Sequence, residues 1–232
     1  WGDSHAGATF IGIAEAAVAR GQTARLQTMA GCPPLFGGLA RRDRTSGSVC
    51  AAFNAAVLEE ARRIRPKVIV LVGRWAIWTT RAGTGFTLVT DEIPGGMERS
   101  KENSARVFTH MVERTVAELR GLGAQVIFLG QAPEYRIAPV RCVALREFHR
   151  TGGTAGCYEQ PRAEAERAVG PANAVLSAAA QRHGGIATFL LSDVFCTADR
   201  CSAGAGETFY YVDTDHLSAT GARFAAQNPG LR

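Results

Sequence analysis

The clearest hydrophobic signal is the run Val68-Ile69-Val70-Leu71-Val72, set between Pro66-Lys67 and Gly73. An unbroken β-branched apolar stretch of this length, bounded by breakers, predicts a parallel strand buried on both faces. Gln125 to Leu129, ending at Gly130, and Ile186 to Leu190 repeat the pattern. Between these strands the period changes to that of helices. Cys50 to Arg65 places Phe53, Val57 and Ile64 on one face, and Ser100 to Leu122 places Val107, Phe108, Met111, Val112, Val116 and Leu119 at helical spacing before Gly123 stops it. Glu164 to His183 predicts a helix broken or kinked near Gly170-Pro171, and Ser218 to Ala226 a last one. Upstream, residues 8–20 predict a helix closed by Gly21, and Arg25 to Met29 a short strand before the Gly31-Cys32-Pro33-Pro34 break. The stretches Pro94-Gly95-Gly96 and Thr151-Gly152-Gly153 read as loops.

Alternating strands and helices predict an α/β fold, a three-layer α/β/α sandwich with a mainly parallel sheet covered on both faces. No internal repeat or interdomain linker interrupts the 232 residues, so one domain over 1–232 is expected. In such sheets chemistry collects at the carboxyl ends of the strands.

Composition narrows the class. With 46% hydrophobic and 20% charged residues the chain is neither disordered, collagenous nor coiled coil. No apolar stretch approaches the roughly 20 residues needed to span a bilayer. The net charge of +5 comes from 26 basic residues, of which only Lys67 and Lys101 are lysines. The clusters Arg41-Arg42-Asp43-Arg44 and Arg62-Arg63-Ile64-Arg65 invite a nucleic-acid reading. Neither is interleaved with aromatics or set in a known nucleic-acid motif, and the second closes an amphipathic helix where cations suit the helix dipole, so no nucleic-acid partner is expected.

Six cysteines, at 32, 50, 142, 157, 196 and 201, form no CxxC pair and no zinc-finger spacing with histidine, so no metal and no cofactor is expected. The even number favours disulfides, and the simplest connectivity joins neighbours: Cys32 to Cys50, Cys142 to Cys157, Cys196 to Cys201. That implies an oxidising compartment; six free thiols in a cytosolic protein are the alternative.

Candidate chemistry sits at the two extremities, in Gly2-Asp3-Ser4-His5 and Asp213-Thr214-Asp215-His216-Leu217-Ser218. A serine hydroxyl is a weak nucleophile without a neighbouring base, and the imidazole that takes its proton needs a carboxylate to fix its tautomer. Ser4, His216 and Asp213 supply those three types. Asp215 is the rival for the carboxylate, less well placed because it adjoins His216. Asp3 is expected to cap the turn or helix start after the serine. His5 reads as packing or loop-stabilising at least as readily as catalytic. His110 and His149 lie outside these segments, and His183 falls in the last turn of a helix.

Together with Gly31-Cys32-Pro33-Pro34-Leu35, Cys50-Ala51-Ala52-Phe53-Asn54, Val70-Leu71-Val72-Gly73-Arg74-Trp75 and Gly221-Ala222, these segments resemble an SGNH (GDSL-type) hydrolase domain over nearly the full length. The likeness is specifically to the periplasmic SGNH domain at the C-terminus of membrane acyltransferases of the acyltransferase-three type, which O-acetylate bacterial surface glycans. The resemblance implies Ser4 as nucleophile, His216 as general base and Asp213 as its orienting carboxylate. It implies an O-acyltransferase working through an acyl-serine, with the donor delivered by a fused or partner membrane domain and a glycan hydroxyl as acceptor. An esterase acting on carbohydrate esters, or a noncatalytic glycan-binding domain, are the rival readings.

The family's oxyanion hole combines the serine N–H with a glycine after the second strand and an asparagine in a Gly-x-Asn-Asp block. Here that block reads Gly73-Arg74-Trp75-Ala76, without the asparagine. The N–H groups of Ser4 and of Gly31 or Cys32 are the expected donors, and Gly73, Arg74 and Trp75 either add donors or shape the acceptor groove. Only three residues precede Ser4, although the fold calls for a central strand there. The first strand is therefore expected to be truncated, and the chain to be the C-terminal part of a longer membrane protein, on the periplasmic side of the inner membrane.

Overall fold

The computed structural model describes residues 1–42, 47–82, 85–150 and 152–228. In chain order it contains α1 (Ser4–Val18), β1 (Leu39–Arg42), α2 (Gly47–Ile64), β2 (Val68–Val72), a 3-10 turn (Trp75–Trp78), β3 (Phe86–Val89), α3 (Lys101–Arg120) and β4 (Gln125–Gly130). Then follow α4 (Pro139–His149), β5 (Glu159–Pro161), α5 (Arg162–Arg182), β6 (Ile186–Leu190) and α6 (Leu191–Phe195). Three short strands, β7 (Arg200–Ser202), β8 (Gly204–Ala205) and β9 (Thr208–Phe209), precede α7 (Ala219–Ala226).

The three apolar runs form the expected parallel sheet in the order β2-β4-β6, with Val70 opposite Ile127 and Phe128 opposite Thr188. Trp1–Asp3 occupies the place assigned to the truncated strand. Gly2 bridges Thr28 on one side and Val72 on the other, both in the parallel sense. The Val72 N–H donates to the Trp1 carbonyl at 2.9 Å and the Met29 N–H to the Gly2 carbonyl at 3.1 Å. The contact with β2 is so close that a Cβ on Gly2 would fall 1.7 Å from the Val72 carbonyl oxygen, which only glycine avoids.

Alternation along the strands divides the core. Ile69, Leu71, Val126 and Phe128 pack with α2, α3 and α5, whereas Val72 and Leu129 join Ala6 of α1, Leu191 and Phe195 of α6 and Ala225 of α7. Helices therefore cover both faces. Among the described residues no helix is long and apolar enough to cross a membrane.

Several elements differ from expectation. α1 begins at Ser4, not at residue 8, because Asp3 caps it with an oxygen that accepts the His5 N–H. The helix expected to break near Pro171 is continuous from Arg162 to Arg182. Ala165 and Val169 before the proline and Ala172, Leu176 and Ala179 after it are all buried, so packing offsets the lost hydrogen bond. The antiparallel pair β1–β3 and helix α4 were not expected; β1 is a four-residue segment carrying two arginines, and α4 buries only Pro139. His183 lies at the cap of α5 and pairs with Glu113. Arg62 and Arg63 pair with Glu59 and Glu60 on the surface of α2; of the other arginine cluster, Asp43 and Arg44 lie outside the described residues, as does Thr151. All six cysteines are joined in the neighbour pattern, Cys32–Cys50, Cys142–Cys157 and Cys196–Cys201.

Candidate active site

Ser4 is the first residue of α1, immediately beyond the carboxyl end of the strand-like Trp1–Asp3 segment. One oxygen of Asp3 accepts the His5 N–H and the other the Arg74 N–H, each at 2.8 Å, so the capping residue also ties the start of α1 to the segment following β2. The opposite side of the site is the loop before α7. Asp213 accepts the backbone N–H groups of Asp215 (2.9 Å) and His216 (2.7 Å) on one oxygen, which folds 213–216 into a tight turn. The Tyr135 N–H donates to the Thr214 carbonyl at 2.8 Å and holds that turn over the end of β4. Ser218 then caps α7.

The two extremities of the chain converge. Nε2 of His216 lies 2.8 Å from Oγ of Ser4, and Nδ1 lies 2.8 Å from the second oxygen of Asp213. With Nδ1 protonated and donating to Asp213, Nε2 is left to accept from the hydroxyl. Partial burial opposes ionisation of Asp213, but the two backbone N–H bonds and the imidazole outweigh it and hold the carboxyl below its ordinary range.

A second layer of charge lies behind this set. Asp215 is 5% exposed; one oxygen pairs with Arg74 at 3.1 Å and accepts the Thr214 hydroxyl at 2.8 Å. Arg74 also donates to Glu134 at 2.8 Å, and Glu134, almost wholly buried, is held by Arg81 (2.6 Å) and Gln131 (2.6 Å) as well. Burial alone would raise the Glu134 carboxyl. The Arg74 and Arg81 guanidiniums and the Gln131 amide reverse this and keep it low. His5 is buried, its ring 4.3 Å from that of His216 and its nitrogens 3.4 to 3.5 Å from Asp215 and Asp3.

The structure places the other expected residues unevenly. Gly73 follows β2 directly and Gly31 occupies a left-handed turn with φ 70°, both at the carboxyl edge of the sheet. Cys32, expected as an oxyanion donor, is instead committed: its N–H donates to the Met29 carbonyl at 3.0 Å and its sulfur is bonded to Cys50. Trp75 neither lines a groove nor offers its indole. The side chain is fully buried against Phe108 and Phe128, and its N–H donates to the Leu129 carbonyl at 2.8 Å. The Arg74 guanidinium is turned to Glu134 and Asp215. Sequence reasoning missed Gln131 and Glu134, whose sole signal is their place just beyond the end of β4. It also missed what Asn54 does: buried on α2, it donates to the carbonyls of Pro33 (2.9 Å) and Leu35 (3.1 Å) and accepts from the Trp1 indole (3.1 Å), fixing the Gly31–Leu35 loop.

One candidate metal cluster is present among the described residues, since ligand atoms of His5, Asp215 and His216 lie within 4.8 Å of one another. Either nitrogen of His216 that a metal took would be one already facing Asp213 or Ser4. The arrangement is thus better described as interleaved carboxylates and imidazoles.

Fold and site together define an α/β domain with a serine, an imidazole and carboxylates gathered at the carboxyl edge of a parallel sheet. The model of the SGNH domain family, described as fused to AT3 domains, matches residues 1–228, and the chain belongs to that family. Among solved structures it is similar to the periplasmic domain of a lipopolysaccharide acetyltransferase of Salmonella serovar Paratyphi A, with TM-score 0.68 and 20% identity over 99% of this chain and 80% of that one. At that identity the likeness speaks for the fold. No curated protein matches the chain.

Proposed function

We propose that the chain is an O-acyltransferase domain of the periplasmic side of the bacterial inner membrane, carrying an acyl group, acetyl by preference, on Ser4 and passing it to a hydroxyl of a cell-surface glycan. The observation that carries this reading is the continuous hydrogen-bonded line Ser4–His216–Asp213 in a domain of the SGNH family fused to AT3 domains. The likeness to the periplasmic domain of a Salmonella lipopolysaccharide acetyltransferase supports the acceptor class. AT3 fusion supports donor delivery by a membrane acyltransferase domain.

In the first half-reaction the Ser4 oxygen attacks the acyl carbonyl while its proton passes to Nε2 of His216, and the donor's leaving group departs with that proton. In the second, a glycan hydroxyl gives its proton to Nε2 and attacks the acyl-serine; the Ser4 oxygen leaves and recovers the proton. Negative charge on the carbonyl oxygen falls near the N-terminus of α1, where the Ser4 N–H and the helix dipole favour it, with Gly31 and Gly73 as the remaining backbone candidates. Asp213 holds the imidazole tautomer and stabilises the imidazolium.

The test is covalent labelling with a fluorophosphonate, mapped by mass spectrometry, followed by acetyl transfer from an activated ester to surface oligosaccharides. The reading expects one label at Ser4, absent in Ser4→Ala, and acetylated glycan as product. Acetate release that ignores added glycan would make the domain an esterase, and no label at Ser4 would end the acyl-serine scheme.

A further inference from the structure

Two carboxylates, not one, approach Nδ1 of His216. Asp213 reaches it at 2.8 Å, but that side chain is 48% exposed. Asp215 stands 3.2 Å from the same nitrogen and is 5% exposed. Its Oδ1 has no hydrogen-bond partner, although it lies between Nδ1 of His216 and Nε2 of His5, the latter at 3.4 Å. A buried carboxylate oxygen without a donor is costly unless a charge appears beside it. Such a charge appears when His216 takes a proton from Ser4.

From this geometry we infer that Asp215 is a second, desolvated carboxylate for His216, a positioning residue that stabilises the imidazolium, and that Arg74, braced by Glu134, keeps it aimed at the ring. The inference rests on the acyl-serine reading and adds a residue to it. Solvent screens the charge of Asp213, whereas that of Asp215 acts through the protein interior, where a fixed charge is worth more. The brace is electrically balanced: Arg74 and Arg81 face Glu134 and Asp215. His5, stacked on His216 and set between Asp3 and Asp215, closes the remaining side. The groups facing the imidazole and its carboxylates are thus Asp3, Ser4 and His5 from α1 and its cap, Arg74 after β2, Glu134 after β4, and Tyr211 and Asp213 from the loop before α7.

The experiment has two readouts on wild type, Asp215→Asn, Asp213→Asn, the double variant and Arg74→Gln. One is the pH dependence of Ser4 labelling and ester turnover; the other is titration of the His216 ring by NMR, which needs no catalysis. Removing the Asp215 charge destabilises the imidazolium, so the titration and the acid limb move to lower pH by about one unit, the lower end of the effect of a charge at this range. Arg74→Gln removes a cation and moves both to higher pH. A merely structural role does not produce opposite shifts. Turnover falls roughly 10-fold in either single Asn variant and towards the ~10⁴-fold loss of a triad without its carboxylate only in the double. A His216 titration unmoved in Asp215→Asn and Arg74→Gln overturns the inference whatever Ser4 does, and so does an Asp213→Asn variant already as slow as the double. An unlabelled Ser4 with the expected NMR shifts would instead remove the acyl-serine scheme and leave the Asp215–His216 coupling standing.

Discussion

Gly12 of α1 lies against Ala222 of α7 with no room for a side chain between them: a Cβ on Gly12 would stand 2.2 Å from the Ala222 carbonyl oxygen and 3.2 Å from the Ala226 Cβ. These two helices carry the two ends of the site. Ser4 opens α1, and α7 follows closely on His216. Glu15 and Arg223 join the helices on their outer side at 2.8 Å. The separation of Ser4 from His216 is therefore set by how closely backbones meet some two turns away.

Gly12→Val should push α7 off α1, costing about 1 to 3 kcal/mol as overpacking generally does. The larger effect should be on chemistry, since the Ser4–His216 hydrogen bond does not tolerate an ångström of displacement. Thermal melting and the rate of Ser4 labelling check both. Gly7→Ala is the control: the position is exposed, a Cβ there meets nothing within 4 Å, and alanine in place of this helical glycine in the first turn of α1 should stabilise by up to ~1 kcal/mol with labelling unchanged. Equal labelling rates in the two variants would contradict the helix contact as the determinant of the site.

Trp75 tests whether the segment after β2 belongs to the core or to an acceptor surface. Its complete burial and the indole bond to Leu129 predict a loss of roughly 3 to 5 kcal/mol for Trp75→Ala, typical of truncating a core aromatic. Trp75→Phe should lose about 1 kcal/mol for the missing hydrogen bond and leave the KM for a glycan acceptor where it was. A raised KM in a stably folded Trp75→Phe would return the residue to the groove.

How far the chain could be read before its structure follows from the range of the interactions involved. The sheet was legible because Val68–Val72, Gln125–Leu129 and Ile186–Leu190 are apolar runs whose burial is decided locally, and the meeting of Ser4 with His216 because both adjoin recognisable motif residues at predictable places in an α/β chain. The start of α1 was misplaced by four residues because its cap, Asp3, looks like part of the motif. Glu134 carries no periodicity and no motif; its partners Arg74 and Arg81 lie more than fifty residues upstream and meet it only because β2 and β4 are neighbours. Trp75 was misread for the same reason, since a 3-10 turn tucks the indole beneath Leu129. Helix α4 offers too little buried surface to mark the sequence at all.

That last feature gives the Cys142–Cys157 bond a local task. α4 buries only Pro139, while Phe148 is 82% exposed and Val140 and Leu145 are exposed as well, so packing holds the helix weakly. The bond closes a separation of 15 residues, for which chain entropy allows about 3 kcal/mol. Replacing both cysteines with serine should open residues 139–157 to limited proteolysis while the β2-β4-β6 sheet persists. Mass spectrometry of the first cleavage products distinguishes this from global unfolding, in which cuts would fall throughout the chain.

Glu134 makes acid sensitivity a property of the site. Its carboxyl sits below the ordinary value of 4.5 in the folded chain because two guanidiniums and an amide overcome its burial. A depressed carboxyl stabilises the fold fully above its unfolded value, and that contribution drains away as pH falls through the lower folded value. Asp213, held low by backbone N–H groups and His216, acts in the same direction. Glu134→Ala leaves Arg81 and the buried end of Arg74 without their shared anion, so at pH 7 it should cost roughly 3 to 5 kcal/mol. As pH falls from 4.5 through the lower folded value the wild type loses the same interaction by protonation, and the gap between the two should narrow. Urea denaturation of both proteins at pH 7 and below pH 4 measures that gap directly, and a gap that stays constant would show that the Glu134 charge does not hold the brace behind His216.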